Sequence, residues 1–487
     1  MLTKSDFMNY IECPIYLWLS KHRPELIPAD TLEKERIFAM GREVDGLARQ
    51  LFPGGIEIQE YNHEGWQNTK KAIADGAEIL FQPTVVADPL TCRADILTKS
   101  AKGDKWDINE VKMATRVKIE YPYDVGFQRI CFENAGIKIG RTNSIHINRD
   151  YVRHGEIEPD KLLISEDITK QVNEKLSEIK EEIEKALEVL KWAKKPDLRL
   201  LESCTNPKSC DYIKYYCEGF PEIHQIASKI PTKHLLALLN RKVLSPDKIP
   251  AVLLESIGYE PEVEFAKIDG LAIRQKLNEL KYPLYFLDYE TYAAAIPSFD
   301  STRPYQNIPF QYSLLIKEKP AFSIGHREFL AREFKNPVPA LLSQLQGDIG
   351  RQGSIISWNA SFEKGCNEEM ARMEPRFADF LKSVNERIFD LMLIFKFKNH
   401  LYVNSTFQKS AALKNILPVL CPELAYDSLA IQDGGEASAS WPILTSGNTP
   451  EDEKLRLAKD MLAYCKRDTE AMVGILNRVC KDINVKI

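Results

Sequence analysis

The stretch from Leu284 to Thr291 constrains the fold of this chain more than any other. Its apolar start, Leu284 to Leu287, is typical of a buried strand, and the strand then carries Asp288 and Glu290. Residues two apart on a strand project from the same face, so both carboxylates point in one direction. Two such acids repel each other unless a cation lies between them, and oxygen ligands of this kind suit Mg²⁺ or Mn²⁺. The alternative is a strand edge with two solvated acids.

Composition places the chain among ordinary globular proteins. It has 487 residues, 44% hydrophobic and 28% charged, which is enough for roughly two to four domains. A net charge of −5 gives no overall basic signature, so any nucleic-acid contact depends on local patches or bound metal. We expect a cytoplasmic protein with no membrane contact, because no apolar run approaches membrane-spanning length and no signal-peptide pattern opens the chain. Its ten cysteines then favour metal binding over disulfides.

Helical and strand patterns alternate along the chain, which predicts an α/β protein. Residues 1–222 are predicted to form one domain, residues 223–280 a helical connector, and residues 281–487 a second domain. The elements expected in the first domain are helices over 1–30, 32–51 and 167–195, the last stopped by Pro196, and strands over 81–87, 93–97, 104–112 and 144–148. Within the first of these strands, Pro83 favours an edge strand or a start just after it.

The first domain contains a group of residues suited to phosphodiester chemistry. Asp95 falls in a predicted strand, Glu110 and Lys112 share one face of a later strand, and Gln128 lies on the helix that follows. Asp95 and Glu110 would hold a divalent cation, while Lys112 would orient a water or stabilise charge on the reacting phosphate. Gln128 would position the nucleophile or a phosphate. The alternative is a surface strand with a common Glu–Lys pair.

Three cysteines cluster near the end of this domain. Cys204, Cys210 and Cys217 are separated by five and six residues, which exceeds the usual zinc-finger spacing. With Cys13 they supply the four thiolates that a [4Fe–4S] cluster takes. Zinc, or inert thiols, are the alternatives. The remaining cysteines are expected to be small core hydrophobes: Cys92, Cys131, Cys366, Cys421, Cys465 and Cys480.

This set of residues resembles the RecB-like PD-(D/E)XK nucleases that carry an iron–sulfur cluster, a group that includes CRISPR-associated and AddB-type exonucleases. The resemblance implies a PD-(D/E)XK nuclease fold with a four-cysteine cluster. In that group a histidine ligand often follows a G-x-x-V pattern. Here Gly41 and Val44 form the pattern and Asp45 follows it, so that ligand is either absent or replaced by a carboxylate.

The second domain carries further acids at the start of one predicted helix and within another. A predicted strand over 355–358 leads to Asn359, and Glu363 follows at a helix start. Thr449 and Pro450 are typical of the N-cap and first position of a helix. That helix carries Tyr464 and Asp468 four residues apart, hence on one face. The alternative is a set of unrelated surface acids with a tyrosine in the core.

Order and spacing of these residues resemble the DEDD exonucleases of the RNase H-like fold, in their tyrosine subtype. By that resemblance Asp288, Glu290, Glu363 and Asp468 hold two metal ions for attack on a terminal phosphodiester, and Tyr464 orients the attacking water. The family usually has Asp where this chain has Glu363. Asp390 follows a strand-like run and is a candidate substitute ligand, although we favour a structural role for it.

Together the two halves resemble an uncharacterised bacterial family in which an iron–sulfur RecB-like nuclease is fused to domain of unknown function 2779. The segments 285–290 and 359–363 carry this match. We therefore expect a metal-dependent nuclease with two sites that cleaves DNA, in repair or in defence against foreign DNA. The alternative is a nucleic-acid-binding scaffold with one or both sites inactive. The chain has no P-loop, so a motor would have to come from a helicase or repair partner.

Overall fold

A computed structural model describes residues 1–194 except 28 and 102, separate positions between 230 and 256, and residues 266–485 except 321, 408 and 409. The chain forms two compact units. Unit 1 contains residues 1–30, 38–151 and 157–261, and unit 2 contains residues 31–37, 152–156 and 262–487. Across the described parts of both units, no helix combines the length and the apolar character needed to span a bilayer.

Unit 1 is built from two sheets and the helices packed on them. Its helices are α1 (Lys4–Glu12), α2 (Pro14–His22), α3 (Leu32–Arg49), α4 (His63–Ala74), α5 (Tyr121–Asn134), α6 (Pro159–Leu162), α7 (Thr169–Lys191) and α8 (Ala251–Ser256). The first residues of α3, up to 37, are assigned to unit 2. Its strands are β1 (Leu2–Thr3), β2 (Ile56–Glu57), β3 (Ile79–Phe81), β4 (Thr84–Ala87), β5 (Leu90–Arg93), β6 (Ile96–Lys99), β7 (Trp106–Lys112), β8 (Ile139–Ile147) and β9 (Leu163–Asp167).

The larger sheet of unit 1 has the strand order β2-β3-β6-β7-β8-β9, and the smaller one has the order β1-β5-β4. Strand β7 is central, antiparallel to β6 and parallel to β8. Helices α1, α5 and α7 share one apolar core, in which the rings of Phe7 and Phe127 stack 5.0 Å apart. This packing holds the start of α1 close to the helix that carries Gln128.

The N-terminal segment forms two helices rather than the single helix predicted over residues 1–30. Cys13 lies between α1 and α2 in an extended conformation, with φ −163° and ψ 125°. The physical reason is Pro14, whose ring disfavours helical backbone at the residue before it. The helix predicted over 32–51 is confirmed as α3.

Two predicted strands are also interrupted. The strand expected over 81–87 is divided into β3 and β4, because Gln82 has φ 54° and Pro83 has no N–H to donate to a sheet. The strand expected over 93–97 is divided into β5 and β6, and Asp95 lies between them. The long helix ends at Lys191, before the residue we expected to stop it.

Unit 2 has one principal sheet. Its helices are α9 (Gly270–Leu277), α10 (Val338–Asp348), α11 (Ala360–Met373), α12 (Ala378–Glu386), α13 (Leu413–Leu420), α14 (Gly434–Thr445) and α15 (Glu451–Asp482). Its strands are β10 (Ala266–Ile268), β11 (Leu284–Tyr292), β12 (Ile308–Lys317), β13 (Gly325–Leu330), β14 (Ser354–Ser357), β15 (Ile388–Asp390) and β16 (Tyr402–Asn404).

The five-stranded sheet has the order β13-β12-β11-β14-β15. Strands β11, β12 and β13 form an antiparallel meander, while β14 and β15 run parallel to β11. Alternate residues of β11 enter two different cores, with Tyr285 and Leu287 in one and Leu284 and Phe286 in the other. The sheet is therefore covered on both faces, as the continuous apolar run of β11 requires.

Two boundaries differ from those predicted. Strand β10 pairs with β16, and the core of unit 2 includes Ile273 and Leu277 of α9, so this unit begins before Lys281. Helix α15 begins one residue later than its sequence indicates, with Pro450 as N-cap. The hydroxyl of Thr449 donates to the carbonyl of Ile443, and no side chain caps the start of α15.

Candidate metal centres

Asp288 and Glu290 lie on one face of β11, as the sequence predicts. They continue the side of the strand that carries Leu284 and Phe286, and this side faces a core to which α15 contributes. Glu290 is buried and Asp288 partly buried. The alternative of solvated acids at a strand edge is therefore wrong, because β11 is the middle strand of the sheet.

A thiol completes a compact group of candidate ligands. One ligand atom each of Asp288, Glu290 and Cys465 lies within 4.8 Å of the others, and no other three acids, histidines or cysteines of the described residues come so close. The Cys465 sulfur lies 3.5 Å from Oδ2 of Asp288. Helix α15 thus contributes a sulfur to this group, and strand β11 contributes two carboxylates.

Asp468 and Tyr464 lie one turn apart on the buried side of α15, as their spacing predicts. The hydroxyl of Tyr426, on the short 3₁₀ turn Tyr426–Ser428, donates to Oδ1 of Asp468. The rings of Tyr426 and Tyr464 lie 5.9 Å apart. Burial raises the pKa of Asp468 to about 7, although Tyr426, Tyr464 and Arg467 limit the rise.

Glu363 lies in the first turn of α11, which begins directly after β14 and Asn359. It is only 3% exposed, and its Oε2 has no hydrogen-bond partner. Burial raises the pKa of Glu363 to about 8, and the nearby charge of Asp390 contributes to the rise. A buried carboxylate oxygen without a partner is costly, so this position is suited to a ligand that the chain itself does not provide.

Burial and repulsion between acids act together in unit 2. Burial raises the pKa of Asp288, and the charges of Asp468, Glu290 and Glu363 raise it further. Burial and the charge of Asp468 have the same effect on Glu290. The four carboxylates therefore belong to one electrostatic cluster. Such a cluster retains its protons unless a cation enters it.

Asp390 ends β15 beside Ser357 at the end of β14. Its Oδ1 accepts the backbone N–H of Met392, 3.1 Å away, and so caps the short 3₁₀ helix that follows. This contact agrees with the structural role favoured from the sequence.

The first site surrounds Glu110 in unit 1. Glu110 is 1% exposed, and its Oε1 lies 2.7 Å from Nζ of Lys4 and 2.8 Å from Nζ of Lys112. Gln128 donates to Oε2 of Glu110 and to Oδ1 of Asp124, each at 2.8 Å. The alternative of a surface Glu–Lys pair is wrong, because this acid is buried in a polar network.

Lys4 and Asp124 are members of this network that the sequence did not single out. Lys4 is the first residue of α1, and its position is fixed by a capping box between Thr3 and Asp6. Asp124 accepts from Lys112 and lies 3.6 Å from Nζ of Lys4. Its position one helical turn before Gln128 was a usable signal, whereas nothing local relates Lys4 to a residue 106 positions away.

The lysines determine the charge state of this site. Burial alone would raise the pKa of Glu110, but Lys112 and Lys4 outweigh burial and lower it well below its usual value. Asp95 behaves differently, since burial and the charge of Glu110 raise its pKa to about 7. Its Oδ2 accepts the backbone N–H of Val111 at 2.8 Å, which holds it against β7.

Asp45 lies on α3, where it pairs with Arg49 at 2.8 Å. Its Oδ1 is buried without a hydrogen-bond partner. Burial raises the pKa of Asp45, and the charge of Glu110 contributes to the rise. The Asp45 carboxylate is thus near the Glu110 network, but its Oδ2 already pairs with Arg49.

Three of the four cysteines of the predicted cluster site lie outside the described residues. Cys204, Cys210 and Cys217 lie outside the described residues, and Cys13 lies at the junction of α1 and α2. The [4Fe–4S] cluster remains a prediction, which iron content and visible absorption of the purified protein would test.

Three residues of the unit 2 cluster were not predicted from the sequence. Cys465 precedes Asp468 by three positions on a helix, so its place on the same face was open to prediction. Gln311 lies opposite Glu290 across the β11–β12 pair, and its Oε1 is buried without a partner. That register, and the approach of Tyr426 to Asp468, depend on tertiary packing and have no local signal.

Comparison with known proteins finds similarity to a domain of unknown function and to uncharacterised proteins. Residues 285–411 match the model of a domain of unknown function, DUF2779. An uncharacterised protein of Mycoplasma pneumoniae, described as an MG366 homolog, is 27% identical over 228 residues, which cover 42% of this chain and 32% of that protein. The uncharacterised protein MG366 of Mycoplasma genitalium is 24% identical over 230 residues, covering 42% and 34%. The chain therefore spans about a third of the length of these curated relatives.

Proposed function

We propose that unit 2 is a metal-dependent nuclease that hydrolyses phosphodiester bonds, with DNA as the expected substrate. The observation that carries this proposal is the cluster of Asp288, Glu290, Glu363 and Asp468, which is gathered in the interior with pKa values that burial raises. Stability of the fold alone would not favour such an arrangement, because burial disfavours the ionised form of each of these acids.

The donor set fits a divalent cation. Oxygen ligands are supplied by Asp288 and Glu290 on β11, Asp468 on α15 and Glu363 on α11. Two further observations support the fit: Oε2 of Glu363 and Oε1 of Gln311 are buried without partners. Mg²⁺ and Mn²⁺ accept carboxylate and carbonyl oxygens of this kind.

The fold of unit 2 supports the same proposal. Its sheet combines an antiparallel meander with two parallel strands and carries helices on both faces, which agrees with the RNase H-like fold that the resemblance implies. The candidate acids come from the central strand β11, from the helix after β14 and from the last helix. Catalytic groups held by rigid elements of this kind keep their geometry better than groups on loops.

Each side chain has a definable role in this proposal. A divalent ion, when bound, supplies positive charge to the phosphate and acidifies a water. Asp288 and Glu290 fix its position from one strand. Tyr426 holds the carboxylate of Asp468 by a hydrogen bond, and Tyr464, on the same face of α15, orients the attacking water. The net charge of −5 leaves phosphate recognition dependent on the bound ion and on local basic residues.

The second candidate function concerns unit 1. By the resemblance, Asp95, Glu110 and Lys112 form a nuclease site of their own. One observation favours the alternative of a nucleic-acid-binding module without bound metal: Lys4 and Lys112 already neutralise Glu110. A metal ion would have to displace the Lys4 amine from that carboxylate before it could bind there.

The test is a cleavage assay on the full chain with end-labelled single- and double-stranded DNA and RNA, in Mn²⁺ and in EDTA. We expect Mn²⁺-dependent removal of terminal nucleotides that EDTA abolishes. The Asp468→Asn variant should lose this activity, because the substitution removes a charged ligand and retains the shape of the side chain.

Helix α15 offers a matched control. Asp482 accepts the hydroxyl of Tyr402 at 2.8 Å, much as Asp468 accepts that of Tyr426, but Asp482 ends the helix and pairs with Arg478. Asp482→Asn should therefore leave cleavage unchanged. Equal activity of Asp468→Asn and the original protein on all four substrates would overturn the proposal.

A further inference from the structure

The thiol of Cys465 has no role in the proposed hydrolysis, yet it lies against the acids that would perform it. The five other cysteines predicted to be small core residues are also buried. Cys465 differs from them in its surroundings, because its sulfur is 3.5 Å from Oδ2 of Asp288 and 3.9 Å from the backbone carbonyl of the same residue. These contacts place it beside β11 at the point where the strand carries its two carboxylates.

We propose that Cys465 is a metal ligand, and that with Asp288 and Glu290 it forms a site for thiophilic divalent ions of the zinc and cadmium class. This inference rests on the metal site of the proposed function and adds the chemical class of ion that it accepts. One ligand atom of each residue already lies within 4.8 Å of the others. A site of carboxylates alone favours Mg²⁺ and Mn²⁺, whereas a thiolate adds affinity for softer ions.

An independent observation supports a ligand at this place. Gln311 is fully buried opposite Glu290, and two antiparallel residues in register project from the same face of the sheet. Its amide nitrogen donates to the carbonyl of Met461 at 2.9 Å, which anchors it to the turn of α15 before Cys465. The other end of the amide, Oε1, has no partner. A bound cation would give this oxygen the partner that the chain does not.

The coordination step is balanced without a further reactant. The thiol now lies within hydrogen-bond distance of Asp288, and on metal binding the sulfur–hydrogen bond is replaced by a sulfur–metal bond. The proton passes to solvent, as is usual when a cysteine becomes a ligand. Asp288 and Glu290 supply the negative charge that favours the ion.

The test uses Cd²⁺ as the probe, because a cadmium–thiolate bond absorbs in the ultraviolet and a cadmium–carboxylate bond does not. The full chain is titrated with Cd²⁺, and the difference spectrum is compared between the original protein, Cys465→Ser and the control Cys480→Ser. Cys480 is a buried cysteine of the same helix, and it packs in an apolar core. All three proteins retain the remaining cysteines, so their contribution cancels in the comparison.

We expect Cys465→Ser to lose the absorbance of one thiolate and Cys480→Ser to lose none. Zn²⁺ should bind Cys465→Ser about 10–100-fold more weakly than it binds the original protein. If Cys465→Ser and Cys480→Ser have the same cadmium spectrum, Cys465 is not a ligand. Should Cys465→Ser fail to fold, Cys465→Ala serves in the same comparison.

This outcome is separable from failure of the proposed function. A missing cadmium signal from Cys465 with intact Mn²⁺-dependent cleavage overturns only the thiolate ligand. A Cys465-dependent cadmium signal without cleavage of any nucleic acid overturns the nuclease and leaves the metal site.

Discussion

Each unit has two charged residues, two positions apart, on a central strand. The charged groups that surround these residues differ between the two units. In unit 1, Glu110 and Lys112 lie two apart on β7, and Lys4 approaches from α1. In unit 2, Asp288 and Glu290 lie two apart on β11, and further acids approach from α11 and α15. The first site contains its own cations, so its carboxylate is stable as an ion. The second gathers buried acids, and the charges of Asp468, Glu290 and Glu363 raise the pKa of Asp288 further, so we infer that its cation comes from solution.

The largest expected effect separates the two sites by activity. Asp288→Asn should reduce Mn²⁺-dependent removal of terminal nucleotides by about 10³-fold, because it removes a charged ligand from the centre of the acid cluster. Glu110→Gln should leave that reaction unchanged, since each set of acids lies within its own unit. The rates are measured on one end-labelled substrate. If Glu110→Gln abolishes all cleavage and Asp288→Asn changes nothing, unit 2 is a binding module and the comparison is reversed.

The next effect concerns stability of unit 1. Lys112→Met should destabilise the protein by about 3 kcal/mol, because Glu110 and Asp124 are buried and would share Lys4 as their remaining lysine partner. The control is Lys191→Met, which removes an exposed pair with Glu188 and should leave stability nearly unchanged. Urea unfolding measures both. Equal stability of the two variants would show that the Glu110 network does not need its lysine.

A third effect distinguishes the sites by their response to pH. The pKa of Asp468 is about 7 and that of Glu363 about 8, both above the unfolded values near 4. The folded protein then keeps protons that the unfolded chain releases, so this contribution to stability is complete below about pH 4 and is lost as pH rises to about 8. For Glu110 the sign is opposite, because its pKa is lowered and its contribution disappears on acidification.

Thermal unfolding in EDTA at about pH 6 and about pH 8.5 tests this difference. The melting temperature of the metal-free protein should fall between the two values, and it should fall less in Glu363→Gln, which has no proton to lose. Added Mn²⁺ should raise the melting temperature more at the higher pH, where the acids are ionised. The same pH dependence in Glu363→Gln and in the original protein would contradict the raised pKa of Glu363.

The smallest expected effect concerns Glu363, where the DEDD exonucleases that the sequence resembles usually have Asp. Glu363→Asp shortens the side chain by one methylene and keeps the charge, so cleavage should stay within about threefold or increase. Glu363→Ala should abolish cleavage as Asp288→Asn does. If the alanine variant remains active, Glu363 is not a ligand, and Asp390 becomes the candidate for its place.

Local patterns were sufficient to predict much of the fold. The apolar run before Asp288 predicted β11, the spacing of Tyr464 and Asp468 predicted their common helix face, and the helix carrying Gln128 was expected. Errors arose where one residue changes the backbone. Pro14 divides the first helix at Cys13, although this proline was visible in the sequence. At Pro83 the expected alternative is confirmed, because a strand starts just after it at Thr84.

The candidate sites were less accessible to sequence analysis, since they depend on contacts between distant residues. Nothing in the first four residues indicates that Lys4 reaches Glu110, because that contact follows from the packing of α1 against α5. The position of Gln311 beside Glu290 was likewise not predictable from local sequence, because it depends on the register of β11 and β12. Cys465 was predicted to be a core residue; it is buried, but its sulfur lies against a carboxylate.

Mn²⁺ binding to the full chain tests the contrast between the units most directly. Binding is measured by the loss of the free-ion paramagnetic resonance signal for the original protein, Asp288→Asn and Glu110→Gln at about pH 7.5. We predict that Asp288→Asn weakens binding by at least about tenfold and that Glu110→Gln leaves it unchanged, because Glu110 is already neutralised by Lys4 and Lys112. Binding that is lost in Glu110→Gln and retained in Asp288→Asn would contradict this account.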